Sequence, residues 1–155
     1  KTIITIHLSN KWINKFYTED DFIDLILQLP KKKYIYVLTT DKTTNKKFNK
    51  IYNNFKIIDN KDFISIKELK DNITILDKLN YENWINVIYS SNQVITPECG
   101  CVHISSACKV PVIIIYSSDN LPEAIHKEYH PWKSQHKKLI FGDATINKKI
   151  VSNLA

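Results

Sequence analysis

The sequence predicts an α/β fold, with strands and helices alternating around a doubly wound, parallel, Rossmann-like sheet. Three observations support this prediction. Short apolar or β-branched runs recur along the chain, segments with helical apolar spacing separate them, and no internal repeat or low-complexity linker interrupts the alternation. Strands joined through helical crossovers run parallel, because the crossover returns the chain to the edge where the previous strand began. The 155 residues suffice for one such domain.

The first strand and helix occupy the amino-terminal part of the chain. Thr2 to Leu8 alternates and is rich in β-branched residues, which predicts a strand. Ser9 to Tyr17 is predicted to be a polar loop. Thr18 followed by Asp21 is a variant of the capping box, so a helix is expected to begin there and to end at Pro30.

The middle of the chain contains shorter elements, which are predicted from the same two periodicities. In chain order they are strand Tyr34 to Thr39, helix Thr43 to Asn54, strand Phe55 to Ile58, a weak helical turn from Ile66 to Leu69, strand Ile73 to Leu76 and helix Tyr81 to Tyr89.

The stretch from Gln93 to Ile115 is predicted to form a strand-turn-helix-strand unit at the centre of the fold. Strand Val94 to Thr96 leads into a tight turn, a helix is expected from about Cys101, and Pro111 ends it before strand Val112 to Tyr116. The turn follows a strand and precedes a helix, where unpaired amides and the positive end of the helix dipole favour an anion. Open α/β sheets also bind their ligands at such turns, so we expect the functional site there.

The remaining segments and the limits of the chain are less informative. The chain begins without Met, so we expect a fragment or a processed product. No apolar run reaches the roughly 18 residues of a membrane span, and no signal peptide is recognisable, so a soluble domain is expected. The last predicted segments are a loop-rich stretch from Ser117 to Trp132, strand Lys138 to Phe141 and a closing helix from Ile146 to Leu154.

The net charge of +6 comes from 22 basic residues, all of them Lys. Arg is the residue that binds phosphates and guanine in a bidentate manner, so its absence argues against sequence-specific recognition of nucleic acid. The lysines are scattered along the chain, which is typical of solvated surfaces. We therefore expect no nucleic-acid partner.

Three cysteines, Cys99, Cys101 and Cys108, lie close together and cannot all pair, which favours a reducing cytoplasm. Cys101 and Cys108 share one face of the predicted helix and are interpreted as small buried hydrophobic residues. A zinc site formed by Cys99, Cys101 and His103 is an alternative. Its spacing is not that of a zinc knuckle and a second ligand pair is missing, so no metal is predicted.

The central turn also carries a family resemblance. Glu98 to Ala107 (ECGCVHISSA) resembles the Asp-Thr-Gly-x-x-His-x-x-Ala-Ala signature of glycosyltransferase family 9, the lipopolysaccharide heptosyltransferases. Near the start, His7 to Ser9 and then Lys15 to Glu19 (KFYTE) are similar to the first strand of that family's donor domain and its Lys-aromatic-aromatic-Pro-Glu segment. The two matches occur in the family's order. The resemblance extends over the whole chain but covers only the carboxyl-terminal half of such an enzyme.

The resemblance implies a set of donor-binding residues. Lys15 would bind the diphosphate and stabilise charge on the departing nucleoside diphosphate, and Glu98, in place of the family's Asp, would contact the sugar. Because the loop after His7 is one residue longer than in the family, Lys11 is a possible substitute for Lys15. The implied donor contacts are Ser9, Lys15, Cys99, Gly100 and His103 for the phosphates, and Asp41 and Leu79 for the ribose and adenine.

The family's activity is inverting transfer from a nucleoside diphosphate sugar, with ADP-heptose as donor and a lipopolysaccharide core as acceptor, and without an obligatory metal or cofactor. The resemblance implies that residues 1–155 form a single donor-binding domain of a bacterial GT-B enzyme. The amino-terminal domain, which would supply the acceptor site and the base, is absent from this chain, so the fragment alone would bind donor without catalysis. The expected location is cytoplasmic, at the inner face of the membrane.

Two other functions stay open. The replacements at Glu98 and Cys99 favour a catalytically silent module that binds nucleotide sugars or assists assembly. A cysteine-dependent enzyme with Cys99 as nucleophile and His103 as base is the third hypothesis, although catalytic Cys and His usually come from separate segments.

Overall fold

The computed structural model of the protein describes residues 1–117 and 135–155. The strands in these residues form one sheet, and all strand pairs are parallel. They are β1 (Thr2–Leu8), β2 (Tyr34–Thr40), β3 (Lys56–Asp59), β4 (Ile73–Asp77), β5 (Gln93–Pro97), β6 (Val112–Tyr116) and β7 (His136–Ile140).

The strand order is β3-β4-β2-β1-β5-β6-β7, which is a doubly wound arrangement. β1 lies at its centre, with Ile4 and Ile6 opposite Tyr36 and Leu38 on one side. On the other side β1 pairs with β5, where Ile6 lies opposite Ile95. The carboxyl ends of β1 and β5 therefore flank the point at which the winding direction reverses, and this crevice is the usual ligand site of such sheets. The predicted fold class is confirmed.

Helices cover both faces of the sheet and begin at the expected signals. Thr18 Oγ1 accepts a hydrogen bond from Asp21 N at 3.2 Å, and Asp21 Oδ2 accepts one from Thr18 N at 2.8 Å, so the capping box is complete. The helices are α1 (Glu19–Gln28), α2 (Asn49–Asn54), α3 (Tyr81–Tyr89), α4 (Gly100–Ala107) and α5 (Ile146–Ser152), with 3₁₀ turns at Asn10–Trp12, Thr44–Lys46 and Ile66–Glu68.

Each face of the sheet has its own core. One face packs against α1, α2 and α5, and its buried side chains include Phe22, Phe48 and Ile150. On the opposite face, Val87 of α3 and Val102 of α4 contribute to two smaller clusters. Full burial of one such side chain contributes about 1.5 to 3 kcal/mol, so the two layers hold the strand ends in fixed positions.

The expected helix from Thr43 to Asn54 is wrong in its first half. Asp41 Oδ1 accepts hydrogen bonds from Thr43 N at 2.9 Å and from Thr44 Oγ1 at 3.0 Å. These local bonds compete with a helical start and produce a 3₁₀ turn. Phe48 then leaves helical geometry, with φ −124° and ψ 38°, and its fully buried ring enters the core. Only Asn49–Asn54 forms an α-helix.

The segment from Ser9 to Tyr17 is not the polar loop that was expected. Trp12 is fully buried, and its Nε1 donates to the carbonyl oxygen of His7 at 2.8 Å. Its ring packs edge-on against Phe22 and Phe141, at 5.1 and 5.9 Å between centroids. A buried aromatic residue therefore fixes the loop that follows β1.

Strands β1 and β6 and the helix from Tyr81 to Tyr89 are found at their predicted ends. The other predicted elements are found with ends that differ by up to three residues. Most of the expected loop from Ser117 to Trp132 lies outside the described residues. Within residues 1–117 and 135–155 no helix is long and apolar enough to cross a membrane.

Candidate functional site

The carboxyl edge of the sheet brings together residues from three separate parts of the sequence. Ser9 follows β1, Asp41 follows β2, and Gly100 begins the helix after β5. Because these strands are parallel and adjacent, the three residues lie at one edge of the sheet, as the sequence predicted.

One cavity at this edge, the Glu98 cleft, has a volume of about 450 Å³. Lys11 Nζ donates to the main-chain oxygen of Glu98 at 2.8 Å and lies 3.5 Å from its Oε2. The Lys11 side chain is 58% exposed and that of Glu98 is 22% exposed, so the contact is open to solvent on one side. The wall of the cleft includes Asn10, Lys11, Asn14, Pro97, Glu98 and Phe141.

Lys15 has a different environment from Lys11. It is exposed, and its Nζ lies 5.1 Å from the centroid of the Phe16 ring, a cation–π distance. Trp12, anchored in the core between the two lysines, holds Lys11 toward the turn after β5. Lys11 rather than Lys15 lines the Glu98 cleft. The assignment of Lys15 to the donor phosphates stays a prediction.

Ser9 has a structural role at the start of the same loop. Its hydroxyl oxygen accepts a hydrogen bond from Lys11 N at 3.2 Å, which caps the short 3₁₀ turn. Ser9 is nearly buried, with 7% of its surface exposed, and it retains a hydroxyl proton to donate. The capping bond therefore leaves the predicted phosphate contact chemically available.

Gly100 opens α4 at the carboxyl edge. A Cβ placed on Gly100 would meet nothing within 4 Å. Its φ is not positive, since the positive-φ glycine found in the described residues is Gly142. Neither backbone strain nor internal packing therefore requires glycine at position 100. The open space in front of it leaves the first amides of α4 accessible to an anion.

Cys99 and His103 flank this helix start. Cys99 Sγ lies 3.4 Å from Thr96 Oγ1, and burial raises the pKa of its thiol, although the Thr96 hydrogen bond and the Lys11 cation act in the opposite direction. A nucleophilic cysteine needs a lowered pKa, so the cysteine-enzyme hypothesis loses support. His103 is exposed on α4, so it is not a core histidine. Cys101 is fully buried, as predicted.

A second cavity, the Asp41 cleft, lies over the ends of β1, β2 and β4 and also has a volume of about 450 Å³. Asp41 Oδ1 is occupied by the Thr43 and Thr44 contacts described above. Asp41 Oδ2 accepts no hydrogen bond from residues 1–117 or 135–155, so one carboxylate oxygen remains for a ligand. The cleft is lined by His7, Asp41, Leu79, Asn80, Tyr81 and Trp84, among others. Both residues predicted to bind the nucleoside, Asp41 and Leu79, therefore share one cavity.

A polar chain connects the two clefts. Asn10, on the wall of the Glu98 cleft, donates through Nδ2 to Thr43 Oγ1, which donates to Asp41 Oδ1 at 3.1 Å. Sequence reasoning missed Asn10 and Thr43, because no local pattern marks a contact between these separate loops.

The alternative zinc site gains no geometric support. Among residues 1–117 and 135–155, no group of three His, Cys, Asp or Glu side chains is placed to hold a metal ion.

The fold and its two clefts define a class of protein, the Rossmann-like α/β domains of the kind found in GT-B glycosyltransferases. The chain belongs to glycosyltransferase family 9 (heptosyltransferase), whose sequence model matches residues 1–150. The resemblance noted at Glu98 to Ala107 is thereby confirmed at the level of the family. No curated protein matches the sequence significantly.

Three solved structures share the fold. The E. coli ADP-heptose lps heptosyltransferase II matches with a TM-score of 0.66 at 13% identity, over 98% of this chain and 45% of its own. E. coli heptosyltransferase WaaC with ADP matches with a TM-score of 0.65 at 14% identity, over 99% of this chain and 44% of its own. The family 9 glycosyl transferase of Veillonella parvula matches with a TM-score of 0.64 at 11% identity, over 100% of this chain and 39% of its own. The chain thus spans less than half the length of each of these proteins.

Proposed function

We propose that this chain is the donor-binding domain of an inverting glycosyltransferase that transfers heptose from ADP-heptose to a lipopolysaccharide core. The observation that carries this proposal is the pairing of the Asp41 cleft with an open helix start at Gly100, at one edge of a family 9 fold. A nucleoside site and an anion site at neighbouring strand ends suit a nucleoside diphosphate.

The donor is oriented across the carboxyl edge in this proposal. The adenosine occupies the Asp41 cleft, where Asp41 Oδ2 accepts from a ribose hydroxyl and Leu79 contacts the adenine. The diphosphate lies over the first amides of α4, between Gly100 and the Ser9 hydroxyl. The sugar then extends toward Glu98, whose carboxylate accepts from its hydroxyls. His103, exposed on the same helix, is available to the phosphates.

A lysine stabilises the negative charge that develops on the departing ADP, which is the electrostatic contribution expected at a leaving group. Lys11 already lies beside Glu98 and the helix start, so we assign this contribution first to Lys11, with Lys15 as the family's alternative. The acceptor site and the base that activates the acceptor hydroxyl would come from a preceding domain. Such an enzyme would work in the cytoplasm, at the inner face of the membrane that holds its acceptor.

The second candidate is a silent module that binds nucleotide sugars without transfer. Two departures from the family signature favour it, since Glu98 replaces Asp and Cys99 replaces Thr. The thiol of Cys99 is a poorer hydrogen-bond donor than a hydroxyl, and it is already engaged with Thr96.

Calorimetric titration with adenosine, AMP, ADP and an ADP-sugar tests the proposal. Affinity should rise from adenosine to ADP, because each phosphate adds contacts with the helix start and the lysines. Equal affinity for adenosine and ADP would contradict the diphosphate site, and absence of binding by all four ligands would contradict the donor-binding function. Transfer by the full-length protein then separates the enzyme from the silent module.

A further inference from the structure

We infer that His7 is a specificity-determining residue of the Asp41 cleft, where its neutral imidazole donates one hydrogen bond from Nε2 to an acceptor atom of the nucleoside. The inference rests on the proposed donor-binding function and extends it to a residue with no role in the scheme above. His7 is the penultimate residue of β1 and lines the Asp41 cleft.

The ring of His7 is held on several sides. It is 94% buried, since only 6% of the residue surface is exposed. Nδ1 lies 2.9 Å from Thr39 Oγ1 on the adjacent strand, and the Trp84 indole lies against the ring at 5.0 Å between centroids and 38° between planes. A buried side chain held in this way has one orientation to offer a ligand.

The partner of Nδ1 determines the tautomer. Thr39 is fully buried, and a buried hydroxyl proton needs an acceptor. Within residues 1–117 and 135–155, the His7 ring is the one hydrogen-bond partner of the Thr39 hydroxyl. Thr39 therefore donates to Nδ1, so Nδ1 carries a lone pair and the proton of the neutral ring is on Nε2.

Nε2 has no hydrogen-bond partner among the described residues. Nε2 is not among the atoms that are fully buried without a partner, so solvent or a ligand in the cleft that His7 lines can accept its hydrogen bond. The acceptors of a nucleoside are its ribose oxygens and the ring nitrogens of its base. The neutral state suits this arrangement, because an imidazolium would also carry a proton on Nδ1 and could not accept the hydrogen bond from Thr39.

Two substitutions separate the two ring nitrogens. His7→Asn retains a polar group near Nδ1 and the Thr39 hydroxyl but removes Nε2, whereas the longer amide of His7→Gln reaches the Nε2 position. His136→Asn, at the exposed start of β7 on the opposite edge of the sheet, is the matched control. Dissociation constants for adenosine and ADP are measured by calorimetry on all four proteins, and thermal unfolding verifies that each variant is folded.

We expect His7→Asn to weaken adenosine and ADP equally, by about 5- to 10-fold, and His7→Gln to remain within about 3-fold of the parent. His136→Asn should change neither constant. If His7→Asn binds adenosine as tightly as the parent, or loses affinity for ADP alone, the inference is overturned while the donor-binding function stands. If the parent protein binds neither ligand, the proposed function itself fails.

The tautomer has an independent readout. In a ¹⁵N spectrum of histidine-labelled protein at pH 7, His7 should show a protonated Nε2 and an unprotonated Nδ1, and Thr39→Val should remove that preference. A protonated Nδ1 in the parent protein would overturn the donor assignment.

Discussion

Lys11 Nζ donates to the main-chain oxygen of Glu98 at 2.8 Å, across 87 positions of sequence. The contact joins the loop after β1 to the turn after β5, at the point where the sheet reverses its winding direction. It places the cation next to the open helix start at Gly100. A diphosphate bound there would lie between fixed amides and a lysine that is already oriented.

The first prediction compares the two candidate lysines. Lys11→Ala should weaken ADP about 10-fold, because a charge-assisted contact is worth about 1.5 to 3 kcal/mol, and should leave adenosine nearly unchanged. Lys15→Ala should weaken ADP less than about 3-fold. Calorimetry measures both, with Lys32→Ala on the opposite edge as control. A larger loss in Lys15→Ala would return the phosphate contact to the residue that the family resemblance implies.

The second prediction concerns Gly100. Gly100→Ala should leave the free energy of unfolding unchanged or slightly higher, because the added methyl group meets open space and alanine favours a helix. ADP affinity should nevertheless fall about 10-fold, since the methyl group would occupy the space needed by a phosphate. Urea unfolding and calorimetry give the two quantities.

Gly142 provides the matched control, because its φ of 98° disfavours any side chain. Gly142→Ala should lower the free energy of unfolding by about 1 to 2 kcal/mol and leave ADP affinity unchanged. If Gly100→Ala binds ADP like the parent, no phosphate approaches this helix start.

The third prediction tests the departures from the family signature in the full-length enzyme. Glu98→Ala should strongly reduce transfer, because the carboxylate proposed to hold the sugar is lost, while ADP affinity stays unchanged or increases as Lys11 is released. Glu98→Asp combined with Cys99→Thr should preserve or raise activity. Transfer rates with an ADP-sugar measure both. No transfer by the parent, together with unchanged nucleotide-sugar affinity in Glu98→Ala, would identify a silent module.

The fourth prediction concerns stability at low pH. Burial lowers the pKa of His7 from 6.5 to about 4, against the opposing charge of Asp41. Between these values the unfolded chain binds a proton that the folded chain does not, so stability is lost as pH falls from 6.5 toward 4. From pH 7 to pH 4.5 the contribution of His7 to this loss is about 2 kcal/mol.

His7→Asn has no such titration, so its free energy of unfolding should decrease by about 2 kcal/mol less than that of the parent over this range. Urea unfolding at both pH values measures the difference. The two proteins differ in ionisable groups at His7 alone, so the difference between their losses isolates the contribution of this residue. Equal losses in the two proteins would show that folding does not lower the pKa of His7.

The central strands and α3 could be predicted because local patterns dominate there. Val94 to Thr96, for example, is buried on both sides, and its apolar run leaves few alternatives. The sequence alone could not show that the helix expected from Thr43 begins only at Asn49. Its start depends on where the Asp41 side chain points, and the break at Phe48 depends on a core supplied by Phe22, which lies 5.5 Å away between ring centroids.

The location of the candidate site at the carboxyl edge could be predicted from the sequence, but the contacts within it could not. Strand ends place Asp41 and Gly100 at one edge in any parallel arrangement of this order, so their positions follow from the element pattern. The orientation of Lys11 depends on the burial of Trp12. The polar residues around Trp12 in the sequence do not indicate that its side chain is buried. The environment of His7 depends on Trp84, which lies in α3 and is distant from His7 in the sequence.

The central position of β1 affects how the chain folds during synthesis. β1 gains its first partner, β2, within forty residues, but its second edge is unpaired until β5, at Gln93–Pro97, has emerged. Until then a strand with Ile4 and Ile6, both fully buried in the finished domain, presents an open edge to other chains. We therefore expect nascent or truncated chains that end before Gln93 to aggregate more readily than the finished domain.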